Sequence, residues 1–154
     1  MRFLVTDECA RLARWLRLMG YDTTEGAAKP LSALYQSAYH DGRTIITRNR
    51  RVRPGQLIRV IQLESQELAG QLRQILRACA PTLDETQMFS RCDACNVPVE
   101  PIEKGQVKDR VPPYVFQTQH AFHHCPSCQR IYWAATHYDR IRTVLEAIHA
   151  EVRR

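Results

Sequence analysis

Phe3-Leu4-Val5 is a short apolar run that ends in Thr6, Asp7 and Glu8, the pattern of a buried strand delivering polar residues at its carboxyl end. A helix is expected directly after it, over residues 10–19. There Leu12, Trp15, Leu16 and Met19 recur at helical spacing, Arg11, Arg14 and Arg17 fall away from that face, and Gly20 supplies the stop. The spacing predicts one packed face and one cationic face. Tyr21 to Thr24 reads as a second strand, and Leu31, Leu34, Tyr35 and Ala38 form the stripe of a second helix closed by Gly42. Thr44 to Thr47 is a third strand and Leu57 to Leu63 a fourth; Leu68, Leu72, Ile75, Leu76 and Cys79 line a further helix, stopped before Pro81. Strands alternating with helices imply a parallel sheet with crossover connections, whose chemistry sits at the carboxyl ends of the strands.

Thr82 to Ser90 shows no periodicity and reads as a join, which divides the chain into an α/β domain over 1–90 and a smaller module over 91–154. In the module Ile131-Tyr132-Trp133 is expected as a strand, with Tyr132 and Trp133 packing inward. Ile141, Val144, Leu145, Ile148 and Val152 trace a helix able to close against the first domain. With 154 residues, 44% hydrophobic and 25% charged, the chain has material for a core, which excludes a disordered or fibrous protein. No apolar run approaches the roughly 18 residues of a membrane span, and the first residues lack the apolar stretch of a signal peptide. A cytoplasmic protein without a membrane partner is expected.

The 22 Lys and Arg exceed the 16 Asp and Glu by a net +6, which favours a polyanionic partner. Only Lys29, Lys104 and Lys108 are lysines, so arginine carries the charge, and its planar fork suits phosphate contacts and base stacking. Six arginines and no acid lie between Arg43 and Arg59, centred on the stretch after the third strand, where a parallel sheet presents a ligand loop. Arg48, Arg50, Arg51 and Arg53, joined by Asn49, are candidates to hold RNA phosphates, as are Arg11 and Arg14 of the cationic helix face. A solvated loop is the plainer alternative.

Cys92, Cys95, Cys125 and Cys128 form two CxxC pairs separated by a loop. Each pair places two thiolates on one edge of a metal, and two pairs complete the tetrahedral sulfur shell of a structural zinc ion, leaving no position open for substrate. Two disulfides are the competing use, disfavoured in a reducing cytoplasm, and a rubredoxin-like iron is the alternative metal. His120, His123 and His124 precede the second pair as bystanders. Cys9 and Cys79, within apolar patterns, read as small buried hydrophobes.

The segments ARLARWLRLMGYD, TIITRNR, RCDACN, VPPYV and CPSCQRIYWAATHYDRI, in this order and spacing, resemble the Mut-seven carboxy-terminal RNase domain family over nearly the whole chain. The resemblance implies a PIN-like α/β nuclease domain followed by a zinc ribbon. It also implies carboxylates gathered from several strand ends around Mg²⁺ or Mn²⁺ to activate water against a phosphodiester. Here the first-strand acid falls on Thr6, the acid after the third strand on Asn49, and the acidic group opening the second helix on Lys29 to Ala33, where no carboxylate stands. Asp7, with Asp22 or Asp41, is the remaining candidate catalytic set. His137 and Arg140 match the family pattern and are candidate RNA contacts. Three readings stay open: a metal-dependent ribonuclease, a non-cleaving protein that binds RNA or a ribonucleoprotein, and an adaptor that binds a protein through its zinc ribbon.

Overall fold

A computed structural model describes residues 1–26, 30–79, 86–134 and 136–152, without the side chains of Thr136 and His137. The elements are β1 (Arg2–Val5), α1 (Ala10–Leu18), β2 (Asp22–Glu25), α2 (Leu31–His40), β3 (Thr44–Thr47), β4 (Val60–Gln62), α3 (Leu68–Cys79), β5 (Glu100–Ile102), α4 (Pro113–Thr118), β6 (Phe122–His124), β7 (Ile131–Trp133) and α5 (Thr136–Val152). Short 3-10 turns occupy Asp7–Cys9 and Lys104–Val107.

The first four strands form one parallel sheet in the order β2-β1-β3-β4, with Phe3 beside Thr23 and Thr44, and Ile46 beside Ile61. Helices cover both faces, so β1 reads as an unbroken apolar run. On one face Phe3, Val5, Ile46 and Ile61 pack with Leu12, Leu16, Leu72, Ile75 and Leu76. On the other, Leu4 and Ile45 pack with Leu34, Ala38 and Val52. The Gly26 amide donates to the Val5 carbonyl (2.8 Å), and a Cβ there would lie 2.7 Å from Leu34 Cδ1 and 2.9 Å from Leu4 Cδ2. A side chain there would push both leucine methyls aside, so glycine lets β2's exit pack closely against α2.

The second sheet is antiparallel, β5-β6-β7, with Phe122 paired to Ile102 and Trp133. It carries its own small core of Val107, Val111 and Phe122. α5 then returns to the first sheet's core, where Leu145 and Ile148 join the cluster around α1 and α3 and Arg73 Nε donates to Glu151 Oε2 at 2.7 Å.

Candidate functional site

The strand ends deliver two different environments. At the carboxyl end of β1 and β3, the hydroxyls of Thr6 and Thr47 lie 2.8 Å apart and both are buried. Glu8, placed by the 3-10 turn, folds its carboxylate back onto them. Its Oε1 lies 2.7 Å from Thr6 Oγ1 and 2.9 Å from Thr47 Oγ1, and accepts from the backbone N–H groups of Arg48 (3.0 Å) and Asn49 (3.1 Å). Burial works against the charge, but the bonds from Thr6, Thr47 and the Arg48 amide outweigh it and hold the carboxyl below the usual glutamate range. A cavity of about 160 Å³ adjoins, lined by Thr6, Asp7, Glu8, Gly26, Leu34, Asn49 and others.

The arginine loop after β3 is fixed from three sides. Asn49 Oδ1 accepts from the Arg51 amide (3.0 Å), an Asx turn, Val52 is buried among Leu4, Leu34 and Ile45, and Tyr35 Oη accepts from the Arg53 amide (2.7 Å) while donating to the Arg53 carbonyl (2.9 Å). Arg50, Arg51 and Arg53 are exposed and Arg48 is half-buried, so the loop presents cations on a held backbone. Its shape was not legible from the six-arginine count, because Arg43 and Arg59 belong elsewhere. Arg43 is buried on Asp22, and Arg59 donates to the Ala78 carbonyl at the end of α3.

The proposed catalytic set is not brought together. In a parallel sheet all strands share one direction, and Asp22 begins β2 where Asp7 follows the end of β1; Asp22 and Asp41 therefore sit at the amino end, away from Asp7. Asp22 is spent there, bound to Arg43 Nη1 (2.8 Å), Arg2 Nε (3.0 Å) and Asn96 Nδ2 (2.7 Å), while the Asp41 carboxylate, partly exposed, lies 3.1 Å from His40 Nδ1 and 3.7 Å from Arg43 Nε. Desolvation opposes the charge of Asp22, yet bonds from Arg43, Asn96 and Arg2 hold it well below the usual carboxylate range. Asp41 is lowered by the hydrogen bond with His40 first. Among the described residues, no group of three acids or histidines is close enough to share an ion. The sequence marks Glu8 only as an acid just beyond the first strand; that it is the central side chain follows from the 3-10 turn over Asp7–Cys9, which folds it back onto Thr6 and Thr47.

The four cysteines do converge. Their sulfurs all lie within 4.8 Å of one another, with Cys92 and Cys128 at 3.7 Å. A tetrahedral ion with Zn–S bonds of about 2.3 Å needs sulfurs roughly 3.8 Å apart. The knuckles are alike: Asn96 and Gln129 have φ of 64° and 62°, their amides donate to the Cys92 and Cys125 carbonyls (2.9 Å each), and the Cys95 amide donates to Cys92 Sγ (3.2 Å). Tyr132 Oη also donates to Cys92 Sγ at 3.0 Å, which with the amides of Cys95 and Ala94 outweighs burial and brings that thiol down to about 7. These residues fit a four-thiolate metal site for an ion such as zinc, which would cross-link the two knuckles. The histidines stay outside the group; His123 is exposed and His124 Nε2 lies 3.9 Å from Glu100.

The first knuckle is seated on the α/β body, and this corrects the expected cationic face of α1. Arg17 is buried: Nε donates to the Thr23 carbonyl (2.8 Å), Nη1 to the carbonyls of Asp93 (3.1 Å) and Ala94 (3.0 Å), and Nη2 pairs with Glu25 (2.9 Å). Arg14 Nε donates to the buried Asp93 at 2.6 Å and so helps to hold the knuckle, while most of its side chain stays exposed. Asn96 completes the join by accepting from the Thr23 amide (2.8 Å). Arg11 and Arg140 are exposed; His137 begins α5, and its side chain lies outside the described residues, as does Lys29 in the stretch without an acid.

Compared with protein-family models, residues 1–145 match the Mut7-C RNAse domain. No curated protein and no solved structure matches the chain. No helix of the described residues is long and apolar enough to cross a membrane.

Proposed function

The chain belongs to the Mut7-C RNAse domain family, and on that premise we propose that it is an RNA-binding protein that holds the phosphate backbone on the Arg48–Arg53 loop without cleaving it by metal-ion chemistry. The observation that carries this reading is the fate of the carboxylates. Hard cations need several negative oxygens around them. Asp22 is committed to arginine at the opposite end of the sheet, Asp41 lies at that same end beside His40 and Arg43, Asn49 Oδ1 is committed to its own loop, and Glu8 Oε1 is surrounded by donors. Amide hydrogens pointing at that oxygen disfavour a cation beside it. The four-cysteine site, filled by zinc, would be structural and would keep the knuckle on α1 and β2.

A second reading, metal-dependent cleavage, is favoured by the placement of Asp7 and Glu8 together at the end of β1 beside an open cavity. One experiment separates the two. Purified protein is incubated with total RNA and Mn²⁺ or Mg²⁺, with EDTA and Asp7→Asn controls, while binding is followed against salt. Binding without cleavage is expected, and divalent-dependent cleavage lost in Asp7→Asn overturns the reading. Arg48→Ala with Arg50→Ala should weaken binding across sequences and lower the slope of log affinity against log salt by about 0.7 per phosphate contact removed.

A further inference from the structure

The environment of Glu8 Oε1 is unusual in which part of it is fixed. Thr6 and Thr47 are 8% and 0% exposed and end two central strands, and the Arg48 and Asn49 amides are successive groups of a loop pinned by Asn49, Val52 and Tyr35. The donors are therefore built in. The acceptor is not: Glu8 is an exposed side chain on a three-residue turn. Two hydroxyls and two adjacent main-chain N–H groups converge on one point and form a concavity for a negative oxygen, the Asn49 N–H being shared with Thr47 Oγ1 (3.0 Å) and the Thr6 hydroxyl also lying 3.3 Å from the Ile46 carbonyl. The cavity of about 160 Å³ beside it exceeds several times the ~30 Å³ share of a water, and exposed arginines follow in the loop.

We propose that Thr6, Thr47 and the backbone N–H groups of Arg48 and Asn49 form an oxyanion site for a phosphate of the RNA backbone. Glu8 is its built-in competitor, which leaves the cradle when a phosphate enters. This rests on the RNA-holding reading of the same loop, and it reverses the sign of the ligand that a carboxylate at a strand end would suggest. Occupancy by Glu8 lowers apparent phosphate affinity by the fraction of time the cradle is open. Loose, low-affinity binding to any single phosphate follows, with the arginines supplying the rest.

The test is a titration of the whole 154-residue chain with inorganic phosphate at pH 7, followed by calorimetry. Glu8→Ala should bind one phosphate at least about tenfold more tightly than the native chain, as expected if the cradle is open no more than about a tenth of the time. Adding Thr47→Val, which removes one donor at nearly constant shape, should reverse most of that gain. Glu64→Gln, which removes an exposed charge elsewhere, should change affinity less than about twofold, as a screened charge does. Circular dichroism checks each fold. If Glu8→Ala is unfolded, Glu8→Gln keeps the volume and should still tighten phosphate binding several-fold. Equal affinity in the native chain and the folded Glu8 variant, a gain that survives Thr47→Val, or an equal gain in Glu64→Gln overturns the proposal. Its failure is separable from that of the RNA reading. Phosphate uptake by Glu8→Ala in a protein that binds no RNA keeps the cradle and removes the RNA. Arginine-dependent RNA binding with no phosphate gain keeps the RNA and removes the cradle.

Discussion

Asp22 and Glu8 are both carboxylates held below their ordinary range, and they do different work at opposite ends of one sheet. Asp22 is a clamp: Arg43, Arg2 and Asn96 tie the start of β2 to β1, to the turn before β3 and to the first knuckle. Its folded value is depressed, so its contribution is complete above the free value near 3.8 and is lost as pH falls below that point. Asp22→Asn should cost about 3 kcal/mol at pH 7, because it strands the buried Arg43, and should flatten the acid limb of the stability curve below about pH 4, measured by urea denaturation across pH. The acids were legible in the sequence as acids, but not by end of the sheet. That distinction comes from strand direction and register, and a list of carboxylates near predicted strands does not carry it.

At the scale of elements, α1 shows what periodicity can and cannot deliver. The apolar face over Leu12, Leu16 and Met19 is buried as the spacing predicts. The opposite face is basic, and a helical wheel does not say whether basic residues meet water or another part of the chain. Here the partners are 76 to 79 residues away in Asp93 and Ala94. Arg17 alone satisfies three carbonyls and the Glu25 carboxylate. Arg17→Met should keep the packing volume yet destabilise by about 3 to 5 kcal/mol, read as a lower urea midpoint, while Arg11→Ala on the exposed side stays within about 0.5 kcal/mol. The fourth strand was expected over residues 57–63 and spans only Val60–Gln62, since Leu57 is exposed and Arg59 turns to α3. β5, β6 and α4 were not foreseen; three-residue strands and a Pro-led single turn and a half are too short for a period to show.

For the molecule as a whole, the parallel sheet and the cysteine site were legible because both are strong local patterns: apolar runs alternating with helical stripes, and two CxxC pairs. Of their connection, the return of α5 to the first domain was legible in its apolar stripe, and Leu145 and Ile148 are buried there, but the seating of the first knuckle was not, because it is made by hydrogen bonds from single side chains. That connection predicts how metal loss spreads. Stripping the ion with a strong chelator should release Asn96 and expose the Thr23 amide to hydrogen exchange, while the Ile45 amide in central β3, bonded to the Arg59 carbonyl, keeps its protection. Equal loss at both would mean that the knuckle and the sheet unfold as one unit.

The order β2-β1-β3-β4 places the earliest-made of its four strands in the interior of the sheet. β1 needs β3, some forty residues later, before its second edge is paired. The cysteines repeat the pattern on a longer scale: Cys92 and Cys95 emerge about thirty residues before Cys125 and Cys128. At roughly 5 to 20 residues per second, the nascent chain carries half a sulfur shell for about two to six seconds. During synthesis the first pair thus waits, as two of the four ligands, for the rest of its cross-link.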